Sequence, residues 1–165
     1  MSRPVAPGWL GNCSFADCTD ENRDAFRKMS TVNYLFAPES VAERQTIFRE
    51  IGVAMGPDSR LEMFSDIAGF SARLRRFNNP EIIVILAVGK KEMPDILSLC
   101  NLIHDAAVII MLSDEEKDTV TSAIRLRPKF LGVMDGDLEK IVPIVEKLTR
   151  TKVARELLQS INKNK

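Results

Sequence analysis

The stretch Glu81–Val88 (EIIVILAV) constrains the fold more than any other part of the chain. It is apolar without alternation, so a strand formed there must be covered on both faces. A second such run, Ala107–Leu112 (AVIIML), follows after a helix-length gap. Antiparallel sheets with one wet face would show alternating polarity, and neither run does. Two doubly buried strands joined by a helix define a parallel sheet with helices on both sides, because crossovers are right-handed.

The flanking segments fit the same plan. Val32–Ala37 reads as a first strand. Ser40–Gly52 reads as a helix, with Ser40 as N-cap and Val41, Ile47, Phe48 and Ile51 on its apolar side. Gly56, Pro57 and Asp58 turn the chain into a second strand, Arg60–Phe64. Ile67–Phe77 is a helix ended by Asn78, Asn79 and Pro80, and Pro94–His104 is another, with Pro94 in its first turn. Ser113 or Asp114 caps a helix reaching about Leu126. Phe130–Met134 is the fifth strand, and Asp137 caps a last helix running from Leu138 to near Asn162.

The 165 residues, 45% hydrophobic and 28% charged, suffice for one core without disulfides or metals. The expected organisation is an N-terminal arm (1–30), an α/β domain (31–149) and a basic extension of the last helix (150–165). The arm holds Trp9 and two of the three Cys, Cys13 and Cys18.

Lys plus Arg and Asp plus Glu both number 23, which excludes a wholly basic surface. Nucleic acid is therefore not expected as a partner. No apolar run is long enough to span a bilayer, so no membrane is expected. No signal peptide is visible, and the sparse, odd Cys count suits a reducing cytoplasm. One His and three Cys argue against a metal site. Cys100 and His104 share a helix at a four-residue spacing, and the apolar residues around them make a buried Cys and a satisfied His the expected reading. Gly89-Lys90-Lys91 lacks the glycine-rich cradle of a phosphate loop, so no cofactor is expected. Asp135-Gly136-Asp137 reads as a turn plus helix cap.

RLEMFSDIAGFSARLRRFNNPEIIVILAV and AAVIIMLSDEEKDTVTSAIRLRPKFLGVMDGDLEKIVPIVEKL resemble the corresponding strands and helices of a response-regulator receiver domain of the CheY-like type. The resemblance implies a flavodoxin-like, doubly wound, five-stranded parallel sheet in the order 2-1-3-4-5, with helices on both faces. It also implies phosphoryl transfer to an Asp ending the third strand, assisted by an acidic pair that holds Mg²⁺, a Ser or Thr and a Lys. The acceptor position falls at Leu86 or Ala87, the first strand ends Ala37-Pro38 with Glu39 the nearest acid, and Met134 stands at the Lys position. Only Ser113 matches. The expectation is a degenerate, or pseudo-, receiver whose pocket is bounded by Ala37, Glu39, Ala87, Ser113, Met134 and Asp135.

The expected function is a non-catalytic signalling module that binds a protein partner. The alternative is an α/β sensor or enzyme taking a small anion or nucleotide at the carboxyl edge of the sheet. Ile144, Leu148, Val153, Leu157 and Ile161 recur at roughly helical spacing, which makes a homodimer through the last helix an expectation.

Overall fold

The computed structural model describes residues 31–76 and 79–163. The N-terminal arm, with Trp9, Cys13 and Cys18, lies outside the described residues, as do Phe77 and Asn78.

Five strands alternate with helices: β1 (Thr31–Phe36), α1 (Arg44–Met55), β2 (Ser59–Phe64), α2 (Ile67–Arg76), β3 (Ile82–Val88), α3 (Met93–Ser98), α4 (Cys100–Ile103), β4 (Ala107–Leu112), α5 (Lys117–Ile124), β5 (Phe130–Val133) and α6 (Ile141–Lys163). All neighbours pair in parallel, in the order β2-β1-β3-β4-β5. This is the flavodoxin-like sheet expected from the sequence.

The period-two alternation of side chains divides the core into two layers. Ile83 and Ile85 point with Tyr34, Phe36, Val108 and Ile110 toward Phe70 and Leu74 of α2, Ile96 of α3 and Ala123 of α5. Val84 and Leu86 point with Leu35, Ile109 and Met111 toward Ile47 and Ile51 of α1 and Ile141 and Val145 of α6. Tyr34, Phe36, Phe64 and Phe70 form a contiguous aromatic group with ring centroids 5.6–6.3 Å apart.

The strands fall close to their expected places, as do the starts of α2 and α3, but α1, α5 and α6 begin later than expected. Ser40 caps nothing. The chain turns at Pro38–Val41, with the Val41 N–H donating to the Pro38 carbonyl (3.0 Å), and α1 begins only at Arg44. Ser113 and Asp114 do not cap α5 either. Asp114 Oδ1 accepts from the Glu116 N–H (3.0 Å), a local turn that uses up the acceptor before the helix begins at Lys117. Asp137 accepts from the Val133 N–H (3.2 Å) and from Lys140, fastening the end of β5 rather than a helix. The expected Pro94–His104 helix is broken at Leu99 into α3 and α4.

One polar side chain inside the sheet has a structural role. Asn33, 1% exposed, accepts the Ile82 N–H on Oδ1 (3.0 Å) and donates to the Thr31 carbonyl (3.4 Å). It therefore satisfies the first donor of β3, which the β1–β3 ladder does not reach.

Candidate functional site

Ligands of open α/β sheets bind outside the carboxyl ends of the strands. Here Ala37, Ala87, Ser113 and Met134 follow or close β1, β3, β4 and β5, so parallel pairing brings them along one edge. Ala37 is wholly buried, and its N–H extends the β1–β2 ladder by donating to the Phe64 carbonyl (2.8 Å). Glu39 and Asp135 are exposed. Met134 is half-buried against the second core layer.

The end of β3 carries local backbone strain. Ala87 has φ of +53°, and the pairing with β4 shifts register between Ile85 and Val88. A non-glycine residue in the left-handed region costs about 1 kcal/mol or more. Leu86 points into the core and is wholly buried.

Several charged groups of this edge are tied to one another or to backbone. Glu92 accepts the Gly89 N–H (3.1 Å), and Lys90 faces Glu116 at 3.4 Å. Hydrogen bonds from Lys140 and then from the Val133 N–H hold the Asp137 carboxyl below the usual range. Ser113 is exposed, and its hydroxyl donates to Asp114 at 3.4 Å. Gly89 is buried so close to it that an added Cβ would meet Ser113 Oγ at 2.7 Å.

Receiver-type Mg²⁺ needs several carboxylates converging on the end of β3. Leu86, Ala87 and Ala37 supply none, and Glu39 is a single exposed acid. Among the described residues no group of three His, Cys, Asp or Glu is placed to hold a metal ion. The donor set does not fit the ion.

Cys100 is exposed, contrary to the buried Cys expected, whereas His104, also exposed, has its ring nitrogens partnered, as expected. The break at Leu99 separates Cys100 from the apolar face of α3. Cys100 donates weakly to Asn101 Oδ1 (3.6 Å), while the His104 ring contacts the Asn101 carbonyl (2.9 Å) and Asp105 (3.0 Å), so the two residues do not form a nucleophile–base pair.

The five residues expected to share an interface on the last helix are divided between two faces. Ile144 and Leu148 pack with the second core layer. Val153, Leu157 and Ile161 are 51–59% exposed, together with Leu158 at 63%. Leu148 and Leu157 are nine residues apart, about 2.5 helical turns, and so point to opposite sides. On the domain side of this outer segment Lys152 is salt-bridged to Glu81.

Two ion pairs joining separate elements carried no sequence signal: Lys152–Glu81, and Arg73–Glu62 with contacts of 2.6 and 2.7 Å between α2 and β2. A shallow hollow of about 480 Å³, lined by Phe48, Gly52, Val53 and Pro57 among others, lies at the amino end of β2, away from the carboxyl edge.

No family model matches the sequence, and no curated protein matches it. Solved structures do match. A CheY-like response-regulator receiver domain protein from Methanospirillum hungatei JF-1 aligns over 76% of this chain and 98% of its own, with a TM-score of 0.58 and 9% identity. A response regulator from Thermotoga maritima aligns over 73% and 98%, with a TM-score of 0.54 and 12% identity. A protein described as pilus assembly-related, from Burkholderia pseudomallei K96243, aligns over 76% and 92%, with a TM-score of 0.54 and 19% identity. At these identities the likeness is one of fold alone: the described domain has the fold of a receiver domain. No helix among the described residues is long and apolar enough to cross a membrane.

Proposed function

We propose that this chain is a pseudo-receiver: a non-catalytic, cytoplasmic signalling module that is regulated by binding a protein partner and not by aspartyl phosphorylation. The observation that carries this reading is the end of β3. Leu86 is sealed in the core there and Ala87 is strained, so no carboxylate stands where a receiver accepts its phosphoryl group. The internal pairing of Glu92, Lys90 and Asp137 supports it, because those charges are already engaged. In this reading 31–149 is the interaction domain, 1–30 an arm and 150–165 an extension of its last helix. Ala37, Glu39, Ala87, Ser113, Met134 and Asp135 then belong to a docking edge instead of a reaction centre.

The test is incubation of the full chain with acetyl phosphate, or with beryllofluoride, in the presence of Mg²⁺. Neither the mass nor the thermal midpoint is expected to change, since a ligand held only by the folded state would raise the midpoint. A stoichiometric phosphoryl adduct refutes the proposal. A midpoint raised by nucleotides or phosphate alone would favour a small-anion sensor at the same edge.

A further inference from the structure

The last helix leaves the domain near the start of β1. Lys152 is salt-bridged to Glu81, the residue before β3, and to Glu156 (3.3 Å). The Glu81 N–H donates to the Val32 carbonyl (3.1 Å), one residue into β1. Beyond this junction α6 continues from Val153 to Lys163, about 16 Å at 1.5 Å per residue. Its Val153, Leu157, Leu158 and Ile161 are exposed on the side turned away from Lys152 and the domain.

The size and charge of this face select its occupant. Four apolar side chains offer on the order of a few hundred Å². One side of a stable protein–protein interface buries about 800 Å². A second copy of the helix would also bring like charge, since Lys147, Arg150, Lys152, Arg155 and Lys163 outnumber Glu146 and Glu156. A tethered segment needs less area, because it loses little translational freedom on docking. Residues 1–30 are neutral overall, with Arg3, Arg23, Arg27 and Lys28 against Asp17, Asp20, Glu21 and Asp24. Their acids are concentrated in 17–24, where Arg23 alone opposes all four, and Trp9, Leu10 and Phe15 supply the apolar chemistry. The residues between Trp9 and Thr31 can span about 70 Å when extended, several times the length of the exposed helix.

We propose that residues 1–30 of the same chain dock on the exposed face of α6, with Trp9 against Leu157, Leu158 and Ile161 and the acidic stretch toward the basic residues of the helix.

Trp9 is the only Trp, so its emission reports on the segment directly. In the full chain at low micromolar concentration, Trp9 emission is expected to be blue-shifted and shielded from acrylamide. Replacing both exposed residues, Leu157→Asp with Leu158→Asp, should shift the emission to the red and expose it to quenching while leaving the unfolding midpoint of the domain in place. Val53→Asp, at a position 78% exposed on α1, should leave the emission unchanged. Emission typical of a free Trp in the wild type, or no response to the paired substitution, overturns the proposal. Shielding that disappears on dilution together with a dimer in light scattering also overturns it, and assigns the face to a second copy.

Discussion

Gly89 and Ser113 close the space between the β3 and β4 ends of the sheet: a Cβ built on Gly89 would approach the Ser113 hydroxyl oxygen to 2.7 Å and Glu92 Oε2 to 3.2 Å. Ser113 is exposed and can rotate away, so Gly89→Ala should cost about 1 kcal/mol, the scale of a displaced rotamer. Chemical denaturation of Gly89→Ala, Ser113→Ala and the double variant measures this. The double variant is expected to recover most of the loss, and a cost unchanged by Ser113→Ala would show that Glu92 or the backbone carries the clash.

Ser113→Ala alone should be close to neutral, within about 0.5 kcal/mol. The hydroxyl caps no helix, and its one polar contact, to Asp114, is 3.4 Å long. A loss near 1 kcal/mol in urea denaturation would restore the capping role that the sequence suggested.

Asn33→Leu should destabilise the domain by about 1–3 kcal/mol, the cost of stranding a buried donor. The Ile82 N–H loses its acceptor, and Leu cannot replace it at a site 1% exposed. Asn33→Asp keeps the acceptor oxygen and should fold, though with a buried charge to accommodate. Urea midpoints decide the matter, and an unchanged midpoint for Asn33→Leu would contradict the accounting.

These residues mark what the sequence could and could not reveal. Ile82–Val88 and Ala107–Leu112 were legible because burial on both faces leaves an unbroken apolar run, and that run fixes the sheet type. The cap positions were not. Ser40, Ser113 and Asp137 are all of the cap-forming types, but local turns or the end of β5 leave the helix N–H groups without these side chains. Long-range polar partners were illegible for another reason. Asn33 meets Ile82 across 49 positions and Lys152 meets Glu81 across 71, and hydrophobic periodicity says nothing about which distant polar groups will meet. The candidate site was legible mainly through what replaces its chemistry: Leu86, Ala87 and Met134 can be read directly, whereas the strain at Ala87 cannot.

Installing a carboxylate at the end of β3 should not create a working acceptor. Leu86→Asp places an ionisable group in a wholly buried apolar layer and should destabilise by several kcal/mol or prevent folding. Ala87→Asp is the milder change, because Asp tolerates the left-handed backbone found there. That variant should fold, yet still gain no mass from acetyl phosphate and Mg²⁺, since no acidic pair follows β1 and Met134 stands in place of a Lys. Intact-mass measurement with circular dichroism as the folding control checks both variants. Phosphorylation of Ala87→Asp would mean that the rest of the edge is still competent.

Acid sensitivity should depend on Glu62. Arg73 Nε donates to Oε2 at 2.7 Å and its terminal nitrogen to Oε1 at 2.6 Å, while Arg60 approaches at 3.2 Å. These hydrogen bonds from Arg73, opposed by partial burial, hold the Glu62 carboxyl below its ordinary range. The folded chain therefore takes up the Glu62 proton less readily than the unfolded chain does. The stabilisation is fully present above the unfolded-state value, about 4.3, and is lost as pH falls through that value toward the lower folded-state one. Glu62→Gln should lower the urea midpoint at pH 7 and flatten its decline as pH falls below the unfolded-state value, so that the two proteins converge in acid. Asp137, held low by Lys140, titrates in the same direction, so the informative quantity is the difference between wild type and Glu62→Gln at each pH. A constant difference across the range would show that the pair contributes packing and no proton linkage.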